Sequence, residues 1–432
     1  MYIKDDEETD NAESSNKNDD VLDDDEYLFT LINRGGTRVS NNDLNYSLVK
    51  SKLLEKYEKN GRKIIEHIEK MANNSNISAS LFVMICYFWF ETNKKDLTKN
   101  APMLYISPKQ FRRNMLRNDE FLSFLINKVN YDDEKEEYID DEKKIEIIEK
   151  LERYLVYDRL KNPFGMPFVM FLNILNTKHE LSFLMFYLID KFEKDFKDEM
   201  GKNLIVLTMV MKLFSYKKNS KKNILKEVVS KFMQFAENNK ENKFDKIIRN
   251  FFSNEDLSVC EIMQYPIKLE DINAINNDEY CLNRIKYQKD FLLYAQRDFL
   301  DKEFGKEAFV MDDMNMPFDY DHIFPSKNRA WGNPRNWDTI GNYRAWPYDK
   351  NRSDKDDLPC QKFRKNDVLD DDILRDSFCL ELKDRFDDYK DKKRDTIVAE
   401  EIIIERISLI YKHWYEALEI HNFFEKSQHD TI

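Results

Sequence analysis

Residues 319–329 read DYDHIFPSKNR: an acid and a histidine side by side, then a proline, then a basic turn. An unperturbed imidazole titrates near 6.5, so near neutral pH it is largely uncharged and can take a proton from water. Carboxylate and amide oxygens suit a hard divalent cation such as Mg²⁺, which keeps several waters for a substrate. A base beside such a cation could hydrolyse a phosphodiester: one deprotonates water, the other neutralises charge on the phosphate and the leaving oxygen. Taken alone, Asp321-His322 is as readily a structural pair at a strand end.

The residues downstream decide between these. Residues 318–359 read FDYDHIFPSKNRAWGNPRNWDTIGNYRAWPYDKNRSDKDDLP. Asp321-His322 closes an extended piece, Asn342 lies inside TIGNYRAW with strand character, and Asn351 heads NRSDKDD, which reads as a helix start. Strand, loop, strand, helix is a ββα order. Residues 314–365 hold five of the ten prolines, three of the five tryptophans and two of the eight glycines. They form an irregular module between helical regions, where sites concentrate. From His322 to Lys355 seven Lys/Arg stand against three Asp, a net of +4. Lys327, Arg329, Arg335, Arg344 and Arg352 are the candidates for phosphate contact. The competing reading for the arginines is pairing with nearby aspartates.

This series resembles the HNH (ββα-metal) nucleases, in particular the domain of unknown function 1524 of the GmrSD-type modification-dependent restriction enzymes. DHIFP, IGNYRAWP and NRSDKDDLP match that family's His, Asn and Asn positions, and the nine-residue step from Asn342 to Asn351 is similar to that in HNH domains of CRISPR effectors. The match spans roughly residues 318–363. The resemblance implies His322 as general base, Asp321 and Asn351 as ligands of Mg²⁺ or Mn²⁺, and Asn342 as the residue that holds the His-bearing loop. It implies a DNA endonuclease in defence against phage or foreign DNA, leaving 5′ phosphate and 3′ hydroxyl. One such module makes one cut, so a double-strand break would need a homodimer or successive nicks. An RNase would share the chemistry.

A second stretch, EYLFTLINRGGTRVSNNDLNYSLVKSKL at 26–53, resembles the F-x-x-I-N-x-x-G-T-x-L-S-x-x-D-L element of domain of unknown function 262. That domain usually accompanies the HNH module in GmrSD-like proteins. Its upstream D-G-Q-Q-R motif, linked to nucleotide use, does not occur here, so no nucleotide site is assigned. The alternative function is therefore a non-catalytic or conditionally active subunit that needs a protein partner supplying the D-G-Q-Q-R half.

Composition bounds the rest. The chain of 432 residues carries a formal charge of −13, but residues 1–26 hold twelve acids against two lysines, so −10, which leaves −3 for the remaining 406. Overall acidity thus does not exclude DNA. The five cysteines (86, 260, 281, 360 and 379) never form a C-x-x-C pair. That fits reduced thiols and a cytoplasmic protein, with no zinc framework. The most apolar run, LFVMICYFWF at 81–90, has ten residues. A membrane span needs roughly 20, so this reads as a buried helix and no membrane association is expected.

Few glycines and prolines, with abundant Phe and Tyr, predict a mainly α fold: a helical bundle-like domain, an inserted ββα module and a long C-terminal helix. The expected division is a disordered acidic tail (1–26), a helical domain (27–305), the nuclease module (306–365) and a C-terminal helical segment (366–432). Helices are expected near 42–58 (capped by Ser40), 61–72, 78–92, 108–116, 119–129, 142–157, 179–197, 202–215, 220–238, 241–252, 287–305 and 397–418, and the 162–175 stretch has proline and glycine before a new apolar helix. Residues 287–305 read as one amphipathic helix ending at Gly305. Gly35-Gly36 reads as a turn, the basic 217–232 stretch as a solvated helix face, and Trp331, Trp337 and Trp346 as packing residues. His413 and His421, eight apart on the expected last helix, make a weak metal pair. His67 and His179 read as surface or boundary residues.

Overall fold

The computed structural model describes residues 40–117, 119–131, 143–177, 179–197, 199–213, 224–239, 241, 243–253, 285–306, 316–325, 336–354, 357–366, 368–389 and 396–424. The acidic tail, Gly35-Gly36, Cys260, Cys281, Trp331 and the basic residues 217–223 lie outside them. The described residues are mostly helical, with two small two-stranded antiparallel sheets.

Among the described residues ten helices come first: α1 (Asn41–Asn74), α2 (Ala79–Asn93), α3 (Pro108–Arg117), α4 (Glu120–Lys128), α5 (Glu146–Leu155), α6 (Phe168–Thr177), α7 (His179–Phe196), α8 (Met200–Leu213), α9 (Ile224–Asn238) and α10 (Phe244–Ser253). Ser40 caps α1, its hydroxyl accepting from the Asp43 amide at 3.2 Å, as the sequence requires of an N-cap. The expected break near residue 60 falls at Glu58, whose φ of 41° and ψ of −111° kink α1 in two. All of 81–90 is buried within α2, because a helix apolar on every side must be surrounded by its neighbours. Among the described residues no helix is long and apolar enough to cross a membrane.

The expected single helix over 287–305 is instead two, α11 (Lys289–Ala295) and α12 (Arg297–Glu303), which meet at Gln296. The reason lies in what Gln296 touches. Its amide oxygen accepts from the Ala345 amide at 2.8 Å, and its Nε2 donates to the carbonyls of Ala345 at 3.3 Å and Asp376 at 2.7 Å. Gln296 thus stands in for a neighbouring strand at Ala345, satisfying backbone groups that burial would otherwise orphan. Removing it with Gln296→Ala should cost about 1–3 kcal/mol per orphaned group, read as a lower urea midpoint at unchanged slope.

That hairpin is β1 (Phe318–His322) paired with β2 (Tyr343–Pro347), followed directly by α13 (Tyr348–Asp354). The strand, loop, strand, helix order is therefore present. Next come α14 (Pro359–Lys362), the short pair β3 (Arg364–Lys365) and β4 (Val368–Leu369), α15 (Asp371–Asp376), a 3₁₀ turn at Leu380–Leu382, α16 (Lys383–Tyr389), α17 (Thr396–Ala417) and α18 (His421–Phe424). One continuous apolar core runs from α1 through the hairpin to α18, so the hairpin is packed into the helical body.

Helix α17 fixes the turn that leads into β2. Fully buried Arg406 donates to the carbonyls of Ile340, Gly341, Tyr343, Ser377 and Phe378. A Cβ at Gly341 would lie 2.2 Å from the Ile403 carbonyl, so glycine there lets the turn reach the helix backbone.

Two expectations about histidines change. His421 opens α18, since α17 stops at Ala417, so it does not share a helix with His413. His413 instead meets Arg297 at 2.8 Å. His67 is buried, and its Nε2 lies 2.8 Å from the Val129 carbonyl.

Candidate active site

Strand alternation divides the candidate residues between two faces. Asp319 and Asp321 lie on one face of β1, with Arg344 and Trp346 opposite them on β2. Tyr320 and His322 lie on the other face, where His322 pairs across to Tyr343.

The Asp321 carboxylate is buried and fully engaged. Its Oδ2 accepts from Arg344 Nε at 2.8 Å, and its Oδ1 from Lys362 Nζ at 2.7 Å. Both cations have side chains with 0% exposure. Lys362 also donates to the His322 carbonyl at 2.6 Å, and Arg344 to Ser377 Oγ at 3.3 Å. The guanidinium lies 4.1 Å from the Trp346 ring, which stacks on Phe299. Two expectations change here. Asp321 does not fit a metal ligand, because each oxygen already holds a cation and a divalent ion would stand against two buried positive charges. Arg344 does not reach a phosphate, because it is sealed from solvent beneath the hairpin.

Asn351, on α13, is brought to Asp319 rather than to Asp321: its Nδ2 lies 3.3 Å from Asp319 Oδ2. Neither of those side chains is fully buried, and amide N and O exchange places by a simple flip. By donor chemistry this carboxylate–amide pair fits a hard cation with open water positions. Among the described residues no group of three or more His, Cys, Asp or Glu side chains could enclose a metal.

His322 ends β1 with a half-buried ring. Its Nε2 is buried and makes no hydrogen bond among the described residues, facing Asp338 Oδ1 at the longer ion-pair distance of 3.6 Å. The Tyr343 ring lies 4.6 Å from the imidazole centroid to centroid. Burial pushes the imidazole below the usual histidine pKa, while the Asp338 carboxylate pulls the other way. The ring is thus held neutral, and a carboxylate facing Nε2 favours the proton there. Nδ1 meets no hydrogen-bonding group among the described residues, which leaves it as the acceptor nitrogen. Asp338→Asn should lower the His322 pKa further, since it removes a charge that stabilises the imidazolium. An NMR titration of the ring reads that directly, and an unchanged or raised pKa would contradict the pairing.

Asn342 is completely buried and ties the loop after His322 to the turn before β2. Its Oδ1 accepts from the Phe324 amide at 2.8 Å; its Nδ2 donates to the carbonyls of Phe324 at 3.1 Å and Trp337 at 3.0 Å. It holds that loop and turn together through backbone groups alone. Trp337 and Trp346 are both buried, packing as tryptophans of a small module do.

Lys327, Arg329 and Arg335 lie outside the described residues, as does the side chain of Arg352. The residues that sequence reasoning passed over are Lys362, Asp338, Gln296 and Arg406. Lys362 sits in PCQKF, where a single lysine carries no periodic or motif signal; its importance comes from a partner 41 positions away. The chain matches no family model, no curated protein and no solved structure.

Proposed function

We propose that the chain is a phosphodiester hydrolase acting on DNA, an HNH-type endonuclease with His322 as general base. The observation that supports this most is the state of His322: neutral, half-exposed at a strand end, its Nε2 turned to Asp338 and its loop tied down by Asn342. In this reading Nδ1 accepts the proton of the attacking water, and the imidazolium that forms is stabilised by Asp338. Lys362 and Arg344 hold Asp321, and Lys362 also grips the His322 carbonyl, so the strand end stays fixed while the ring works. A divalent cation, Mg²⁺ or Mn²⁺, would be held by Asp319 and Asn351 and supplies neutralisation of charge on the phosphate and the departing 3′ oxygen. Restriction of modified or foreign DNA is the biological role that fits this chemistry and the family resemblance.

The experiment is incubation of supercoiled plasmid with the purified protein in Mg²⁺, Mn²⁺ or EDTA. Nicked circles with 5′-phosphate and 3′-hydroxyl ends, formed only with metal, are the expected result. The engagement of Asp321 by two buried cations favours one second reading, a subunit that stays silent until a partner rearranges the site. No cutting with any metal, but cutting after addition of a D-G-Q-Q-R-bearing partner, would select it.

A further inference from the structure

We infer that Lys289, at the start of α11 and outside the strand–strand–helix module, is a backbone-phosphate contact of the candidate active site. The inference rests on the DNA-hydrolase reading and adds a residue to it from the helical body. Lys289 is exposed, and its Nζ lies 3.9 Å from the Tyr320 ring centroid and 5.1 Å from that of Tyr343. Both rings are on the His322 face of the hairpin, and Tyr343 is the ring against the imidazole. The ammonium is therefore held at the working face by the negative faces of two aromatic rings.

What sets it apart is the absence of a neutralising acid. Arg344 and Lys362 are spent on Asp321, and Lys350 pairs with Glu303 at 2.9 Å. The acid next to Lys289 in sequence, Asp290, pairs with buried Lys212 at 2.6 Å. Among the described residues no carboxylate pairs with Lys289. A cation that is fixed in place, reachable from solvent and unpaired with any carboxylate among the described residues, on the same hairpin face as a candidate base, is what a phosphate-bearing substrate requires there. The basic residues expected from the sequence to do this either lie outside the described residues or, like Arg344, are buried.

Fluorescence anisotropy of a labelled DNA duplex, in EDTA so that nothing is cut, tests this over a range of KCl. Wild type, Lys289→Ala and Lys289→Arg are compared, with thermal melting to show that each is folded. Losing one phosphate contact should weaken binding by roughly 5- to 10-fold near 0.1 M salt and reduce the slope of log affinity against log salt by about 0.9. Lys289→Arg should restore most of both, because the charge is kept. Wild-type affinity and slope in Lys289→Ala would overturn the assignment while leaving the hydrolase reading intact. An equal loss in the arginine variant would overturn it too, since shape and not charge would then matter. No DNA binding by wild type at any salt would bring down the hydrolase reading, and this inference with it.

Discussion

Replacing Asp321 with alanine is expected to destabilise the protein by about 3–5 kcal/mol, the range for breaking a buried ion pair by removing one partner. The reason is charge accounting inside a dry site. Arg344 and Lys362 have no exposed side-chain surface, and Asp321 is the carboxylate that both of them hold. Without it, Lys362 keeps the His322 carbonyl and Arg344 keeps Ser377 Oγ, but both buried cations lose the Asp321 charge. Arg406 is buried close enough to add to the repulsion, since Arg344 pulls its pKa down. Asp321→Asn should cost less, because one amide oxygen can still accept from one cation. Urea unfolding in EDTA reads both. A carboxylate kept only to bind metal predicts the reverse: removing it would leave the metal-free protein as stable as before. An unchanged midpoint would therefore refute the ion triad.

His322→Ala should reduce metal-dependent DNA cutting by at least about 10²–10⁴-fold, the contribution of a positioned general base. Folding should barely notice, because the ring is half-exposed and makes no hydrogen bond among the described residues. DNA affinity measured in EDTA should likewise stay near that of wild type. The same geometry fixes a pH dependence. The base works when neutral, and burial depresses its pKa below 6.5. Activity should therefore persist below pH 6.5 and fall only as pH drops through the depressed value. A rate that already halves near pH 6.5 would show that the ring is better solvated than the structure has it.

Local pattern made most helices legible: Ser40 and Ser78 cap the helices they precede, and the apolar run at 81–90 is buried as its composition demands. The strand–strand–helix order around His322 was legible too, because two extended stretches flank a turn-rich loop. What stayed hidden depends on contacts distant in sequence. The break at Gln296 follows from its bonds to Ala345, 49 positions away, and no helical periodicity records that. Asp321 next to His322 takes a metal-ligand reading from the family resemblance. Its true partners, Arg344 and Lys362, stand 23 and 41 positions on. The face occupied by Asn351 also decided its partner: it meets Asp319, two residues short of the acid that the resemblance implied.

The most direct measurement is a paired nicking assay: wild type and His322→Ala, at equal and stoichiometric concentration, on supercoiled plasmid with Mn²⁺. Metal-dependent nicking by wild type, lost in a variant that melts and binds DNA as wild type does, is the expected result. Equal cutting by both proteins would contradict His322 as the base.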